Sequence, residues 1–115
     1  MIIEAILKIN PNAKVSVNGD DINTCEIQWY DNTTPISKSD IQAQFPVVEF
    51  EIAMSSLRKK RDRLLNKSDW IVTKAKETGG TISTAWKTYR QALRDITNDL
   101  TTVDEVNAVV FPDKP

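Results

Sequence analysis

The chain contains no histidine and one cysteine, Cys25. Without imidazole there is no histidine-based general acid–base or nucleophilic chemistry and no histidine metal site. A single cysteine closes no internal disulfide and supplies no metal-ligand pair, and without a histidine beside it a thiol-protease site lacks its base. Cys25 therefore reads as a small buried hydrophobe on a strand. Glycine is scarce, at 3 residues. Gly79-Gly80 lacks the Lys and Ser/Thr that follow in a phosphate-binding loop, and Gly19 stands alone. Asp20-Asp21 lacks the ligand spacing of a calcium loop and reads as a turn. No carboxylate pair stands out for glycoside hydrolysis. No apolar run approaches the roughly 18 residues of a membrane span. The opening Met1–Lys8 carries Glu4 among its hydrophobes and no basic segment, so it does not read as a signal peptide. These absences predict a protein without enzymatic activity, cofactor, metal or membrane contact, made in a reducing, intracellular setting.

What is present suits a folded chain. With 115 residues, 40% hydrophobic and 27% charged, it has the makings of one domain or two small co-packed modules. The net charge of −1 is unevenly spread: residues 1–56 hold 3 basic and 8 acidic side chains, residues 57–98 hold 11 and 4, and residues 99–115 hold 1 and 4. Such asymmetry points to modules that face each other or to a partner at one end.

Residues 2–9 place Ile3, Ile6 and Leu7 at helical spacing, and Asn10-Pro11 ends that helix. Ala13, Val15 and Val17 then alternate with polar residues. After Asn18-Gly19-Asp20-Asp21, Cys25, Ile27 and Trp29 do the same. The pattern is a β-hairpin with one apolar face, which must cover something because an isolated hairpin is marginal in water. Trp29 and Tyr30 are neighbours on a strand and point to opposite faces, so one of them is exposed unless covered. Ser37-Lys38-Ser39-Asp40 is a helix N-cap, and Pro46 is expected to kink or interrupt the helix it starts. Val47, Phe50, Met54, Leu57, Arg61 and Leu64 form the next helical stripe, in which Arg61 requires a neighbouring carboxylate. Asn66-Lys67-Ser68-Asp69 reads as a stop and a new cap. A short helix with Trp70, Ile71 and Ala75 turned inward then runs to Gly79-Gly80. A last long helix starts near Thr81, with Ile82, Trp86, Tyr89, Leu93, Ile96 and Leu100 on one face. One more turn follows at Thr101–Glu105, and Val109-Val110-Phe111-Pro112 is an extended tail packed back on the helices or on a partner.

The predicted class is α+β: a short N-terminal helix and β-hairpin (residues 1–36), followed by an antiparallel helical hairpin with an extended C-terminal tail (residues 37–115). Packing of that helical hairpin is expected to bury Leu57, Leu64, Trp86 and Tyr89 together. The run Arg58-Lys59-Lys60-Arg61 with Arg63 invites a nucleic-acid reading. On a helix these side chains fan out about 100° per step, Arg61 turns inward, and the sequence pI is about 5.4. The run reads as a solvated face, and no nucleic-acid partner is expected.

Three segments carry a family resemblance. They are Leu57-Arg58-Lys59-Lys60-Arg61-Asp62-Arg63-Leu64-Leu65 with Ser68-Asp69-Trp70; Ala85-Trp86-Lys87-Thr88-Tyr89-Arg90-Gln91-Ala92-Leu93-Arg94-Asp95; and Val109-Val110-Phe111-Pro112-Asp113-Lys114-Pro115. Together they resemble the phage tail assembly chaperone and tail-fibre assembly families, with Phe111 where those chains usually carry tryptophan and a longer Ile71–Thr84 stretch than in many of them. Ile27-Gln28-Trp29 and Pro35-Ile36-Ser37-Lys38 resemble a second phage-associated pattern. The resemblance implies a partner in the phage tail fibre protein, help with its folding or assembly in the host cytoplasm, and in some relatives retention in the virion tail. A structural component of the baseplate or tail tip is the alternative. A trimeric arrangement around the fibre follows by analogy with trimeric fibres. The resemblance further implies that Arg61, Asp69, Trp70, Trp86, Tyr89, Arg90 and Asp95 are a polar–aromatic cluster joining two helices. The interface is expected on the hairpin, at Val15, Val17, Trp29 and Tyr30.

Overall fold

A computed structural model describes all 115 residues, Met1–Pro115. Its elements are α1 (Ile2–Ile9), β1 (Lys14–Asn18), β2 (Glu26–Tyr30), α2 (Lys38–Ala43), α3 (Phe45–Thr78), α4 (Thr84–Asp95) and α5 (Val103–Asn107). The predicted α+β class is the observed one. None of the helices is long and apolar enough to cross a membrane.

The chain divides into two compact units, Met1–Glu51 and Ile52–Pro115. The first therefore extends past residue 36, where the sequence placed a boundary. The cause is packing: Ile41 of α2 and Val48 of α3 are buried with Ile2, Ala5, Ile6, Ala13, Ile22 and Cys25 in one core. Each large aliphatic side chain fully buried there contributes roughly 1.5–3 kcal/mol. Cys25 lies one residue before β2 rather than on it.

The two strands pair antiparallel, with Val15 opposite Trp29 and Val17 opposite Ile27. All four side chains pack against the core of this unit, which is how a two-stranded sheet acquires stability. The loop between the strands is organised by Asp21, whose side chain accepts from Asn23 N at 2.9 Å and whose carbonyl accepts from Cys25 N at 2.7 Å. Gly19 is fixed there by a φ of +105°, and a Cβ at that position would lie 3.3 Å from the Cys25 Cα. Lys38, at the start of α2, donates to the Cys25 carbonyl at 2.8 Å and ties the helix to the hairpin. Ser37 caps α2 as its sequence predicts, accepting from Asp40 N at 3.1 Å.

The helix begun at Lys38 is interrupted at Gln44, as expected around Pro46, and the chain restarts at Phe45 with Pro46 in the first turn of α3. There its missing N–H costs nothing, because first-turn amides have no intrahelical acceptor. Val47 faces solvent and Val48 is buried instead.

The expected stop at Asn66–Asp69 does not occur: α3 runs unbroken for 34 residues. Ser68 donates back to the carbonyls of Leu64 (3.3 Å) and Leu65 (3.0 Å), so its hydroxyl serves the helix interior rather than capping a new start. Asn, Ser and Asp cost only tenths of a kcal/mol each inside a helix. The actual stop is Gly79 at φ +66°, where Gly80 N donates to the Ala75 carbonyl at 3.0 Å, the geometry of a glycine C-cap.

The last long helix is shorter than its apolar stripe. It begins at Thr84 under a Ser83 cap, not at Thr81, and ends at Asp95. Ile96 is its C-cap, and Leu100 lies past the turn that follows, in which Asp99 takes φ +62°. Of the four side chains expected to be buried together, Leu57 and Tyr89 are buried, while Leu64 and Trp86 are only partly so. The C-terminal tail packs back on α3, with the Lys60 ammonium 4.2 Å from the centre of the Phe111 ring.

Two predictions follow from these local arrangements. Ile6→Ala removes a fully buried side chain and should cost about 2–5 kcal/mol, whereas Ile3→Ala, on the exposed side of the same helix, should change stability by less than about 0.5 kcal/mol; denaturant midpoints compare them. Thr101 and Thr102 hydroxyls donate to the Glu105 carboxylate at 2.7 and 3.1 Å, and these bonds, that of Thr101 foremost, hold its pKa below the ordinary 4.5. A depressed carboxylate contributes stability above 4.5 that is lost as pH falls through its folded value. Carbon-detected NMR titration should find the Glu105 midpoint below 4.5, moving only part of the way back in Thr101→Val because the Thr102 hydroxyl still donates to the carboxylate.

Candidate functional site

The second unit is organised around Arg90. Tyr89 and Leu93 turn α4 towards α3, and Arg90 lies beside them with only 8% of its surface exposed. A buried guanidinium must find acceptors for its hydrogens. Arg90 reaches back to α3, donating to the Leu65 carbonyl at 2.9 Å, to the Ser68 hydroxyl, and to the Asp69 carboxylate at 2.9 Å. Its Nε is buried and has no acceptor. One turn earlier, Trp86 meets Tyr89 edge to face, with centroids 5.7 Å apart and planes at 84°, an arrangement worth about 0.5–1.5 kcal/mol beyond its buried area.

Of the seven residues expected to form one cluster, Asp69 and Arg90 are joined directly and Trp86 and Tyr89 form the aromatic pair. The other three lie elsewhere. Arg61 has the carboxylate its half-buried position requires, but it is Asp62, its own neighbour, at 3.0 Å. Asp95 accepts from Gln91 on its own helix at 3.1 Å. Trp70 is 59% exposed, contrary to the expected inward orientation. Because α3 continues through Asn66–Asp69, Ser68 and Trp70 are held two steps, or about 200°, apart around the helix. With Ser68 facing Arg90, Trp70 faces out. Ser68 was the member that sequence reasoning assigned to a cap; its position one turn after Leu64 and Leu65 was the available signal.

On the hairpin, the four expected interface residues do not share a face. Val15, Val17 and Trp29 are partly buried against the core of their own unit, and Tyr30 points the other way, 47% exposed. Its hydroxyl donates to Gln28 at 2.6 Å and lies 3.3 Å from Ser16 Oγ, forming a polar outer face. The sheet has only these two strands, so each has an edge without a strand partner.

The basic run on α3 is partly occupied, Lys60 by Phe111 and Arg61 by Asp62. No group of three or more histidine, cysteine, aspartate or glutamate side chains is placed to hold a metal ion.

Arg90→Leu leaves the Ser68 hydroxyl and the Leu65 carbonyl without their charged donor and should destabilise the second unit by about 1.5–3 kcal/mol. Asp69→Asn, at a pair whose acid is mostly exposed, should cost less than about 1 kcal/mol. Thermal and denaturant melts of the two variants check that order.

A model of the phage tail assembly chaperone proteins matches residues 54–115. No curated protein matches the chain significantly, and neither does any solved structure. The matched stretch contains the Arg90 contacts, the aromatic pair and the tail with Phe111, and it covers more than half of the sequence: the chain belongs to the phage tail assembly chaperone family.

Proposed function

We propose that this chain is a non-enzymatic accessory protein that binds the phage tail fibre in the host cytoplasm, assists its folding or assembly, and stays on it in the virion tail. The family's role in tail assembly carries this reading. The choice of the fibre as partner rests on the resemblance of the segments 57–70, 85–95 and 109–115, taken together, to the phage tail assembly chaperone and tail-fibre assembly families. A purely structural place in the baseplate or tail tip is the alternative for the same chain.

The docking surface in this proposal is the N-terminal hairpin. Tyr30 supplies an exposed aromatic side chain, a residue type that anchors interfaces, and Val15, Val17 and Trp29 hold the strand that carries it. The free strand edges offer backbone donors and acceptors to an extended segment of the fibre.

Co-expression with the neighbouring fibre gene, followed by size exclusion with mass determination, tests the proposal. The expected result is a stable complex, soluble fibre only in the presence of this chain, and three copies around a trimeric fibre. Fibre that folds alone while this chain elutes separately would refute it. Tyr30→Ala should weaken the complex without changing the melting of the free chain. Trp29→Ala should weaken both, with a stability loss of about 1–3 kcal/mol for its partly buried ring.

A further inference from the structure

The turn of the helical hairpin carries two clefts that meet at Ile82. One, of about 760 Å³, is lined by Val72 and Ile82 together with Lys87, Arg90 and Arg94 of α4. The other, of about 370 Å³, lies between Trp70 and Trp86 and includes Lys74. Neither contains an aspartate or glutamate among its lining residues. Arg90 is committed to Asp69, but Lys74 and Lys87 form no ion pair and Arg94 reaches only the neutral Gln91, at 3.3 Å. An exposed tryptophan, a floor of aliphatic side chains and three cations that form no ion pair thus line neighbouring clefts on one small unit.

From this juxtaposition we propose that the hairpin turn is a second docking site, which takes a protein segment carrying apolar side chains flanked by carboxylates. The apolar side chains seat against Trp70, Ile82 and Trp86, and the carboxylates pair with Lys74, Lys87 and Arg94. Charge complementarity selects this occupant: a neutral peptide would leave the three cations unpaired on desolvation, and a basic one would be repelled. The apolar part of the clefts selects a peptide over a polyphosphate chain. A second copy of this chain, seated head to tail through its acidic N-terminal half, would generate a ring or an open-ended chain, which the test reads as concentration-dependent self-association. The site does not depend on the fibre being the partner, since any tail protein with such a segment would fit.

The test is NMR titration of the full ¹⁵N-labelled chain at low salt with a synthetic peptide of leucines flanked by glutamates. Controls are its glutamine counterpart and a single-stranded DNA oligonucleotide. The indole signals of Trp70 and Trp86 should shift while that of Trp29, in the other unit, stays in place. Lys87→Glu combined with Arg94→Glu should weaken binding at least roughly tenfold, as expected for two lost charge-assisted contacts. Trp70→Ala, a change at an exposed position, should weaken it with circular dichroism unchanged. Equal binding of the glutamine peptide, displacement by the oligonucleotide at equal charge, shifts confined to Trp29, concentration-dependent self-association in place of peptide binding, or no binding at millimolar peptide would each overturn the proposal. Peptide binding without a fibre complex would instead count against the fibre as partner and leave this site standing.

Discussion

A guanidinium taken out of water costs several kcal/mol unless its hydrogens are met, and Arg90 meets most of that cost with three acceptors on a single helix. That requirement governs the second unit. The acceptors come from Leu65, Ser68 and Asp69, less than two turns of α3, so α4 is held at one position along α3. The Trp86–Tyr89 pair lies within one turn of Arg90 and seals the same contact. The orphaned Nε shows that the fit is incomplete. A long helix and a short one gain uniqueness of register from such a polar link, as a single buried polar residue does in coiled coils.

The first unit solves a different problem, a two-stranded sheet too small to stand alone. α1, α2 and the first turns of α3 supply the cover, and Lys38 binds the Cys25 carbonyl to keep the sheet against them. α3 starts in the first unit and continues through the second, so its sequence must serve an apolar core at Val48 and a polar contact at Ser68.

These two solutions explain which parts were legible. Period-two alternation at Val15/Val17 and Ile27/Trp29 fixes the hairpin, because one face of a sheet has to be apolar. The cap at Ser37 is legible because a hydroxyl followed three residues later by an acid has a local meaning. The Asn66–Asp69 stop was misread because the same residue types cap a helix or bond back into it, and only a side chain 22 positions away in sequence, Arg90, accompanies the choice made at Ser68. The outward turn of Trp70 follows from that one fact. The aromatic pair and the Arg90–Asp69 contact were legible through the motif that contains them; Arg61 and Asp95 share the motif but satisfy their charges locally. Lys60 over Phe111 left no trace in spacing, since contacts of a tail with a helix have no period.

The interior contacts hold two small units in shape, while Tyr30 on the hairpin and Trp70 on α3 are exposed; these outward groups are the ones proposed to meet a partner. Hydrogen–deuterium exchange of the chain, alone and bound to the tail fibre, tests that division directly. The account predicts slowed exchange on fibre binding in 14–18 and 26–30, with the amides of α1 unchanged. Protection confined to the exposed basic stretch 58–63, or spread evenly over both units, would contradict it.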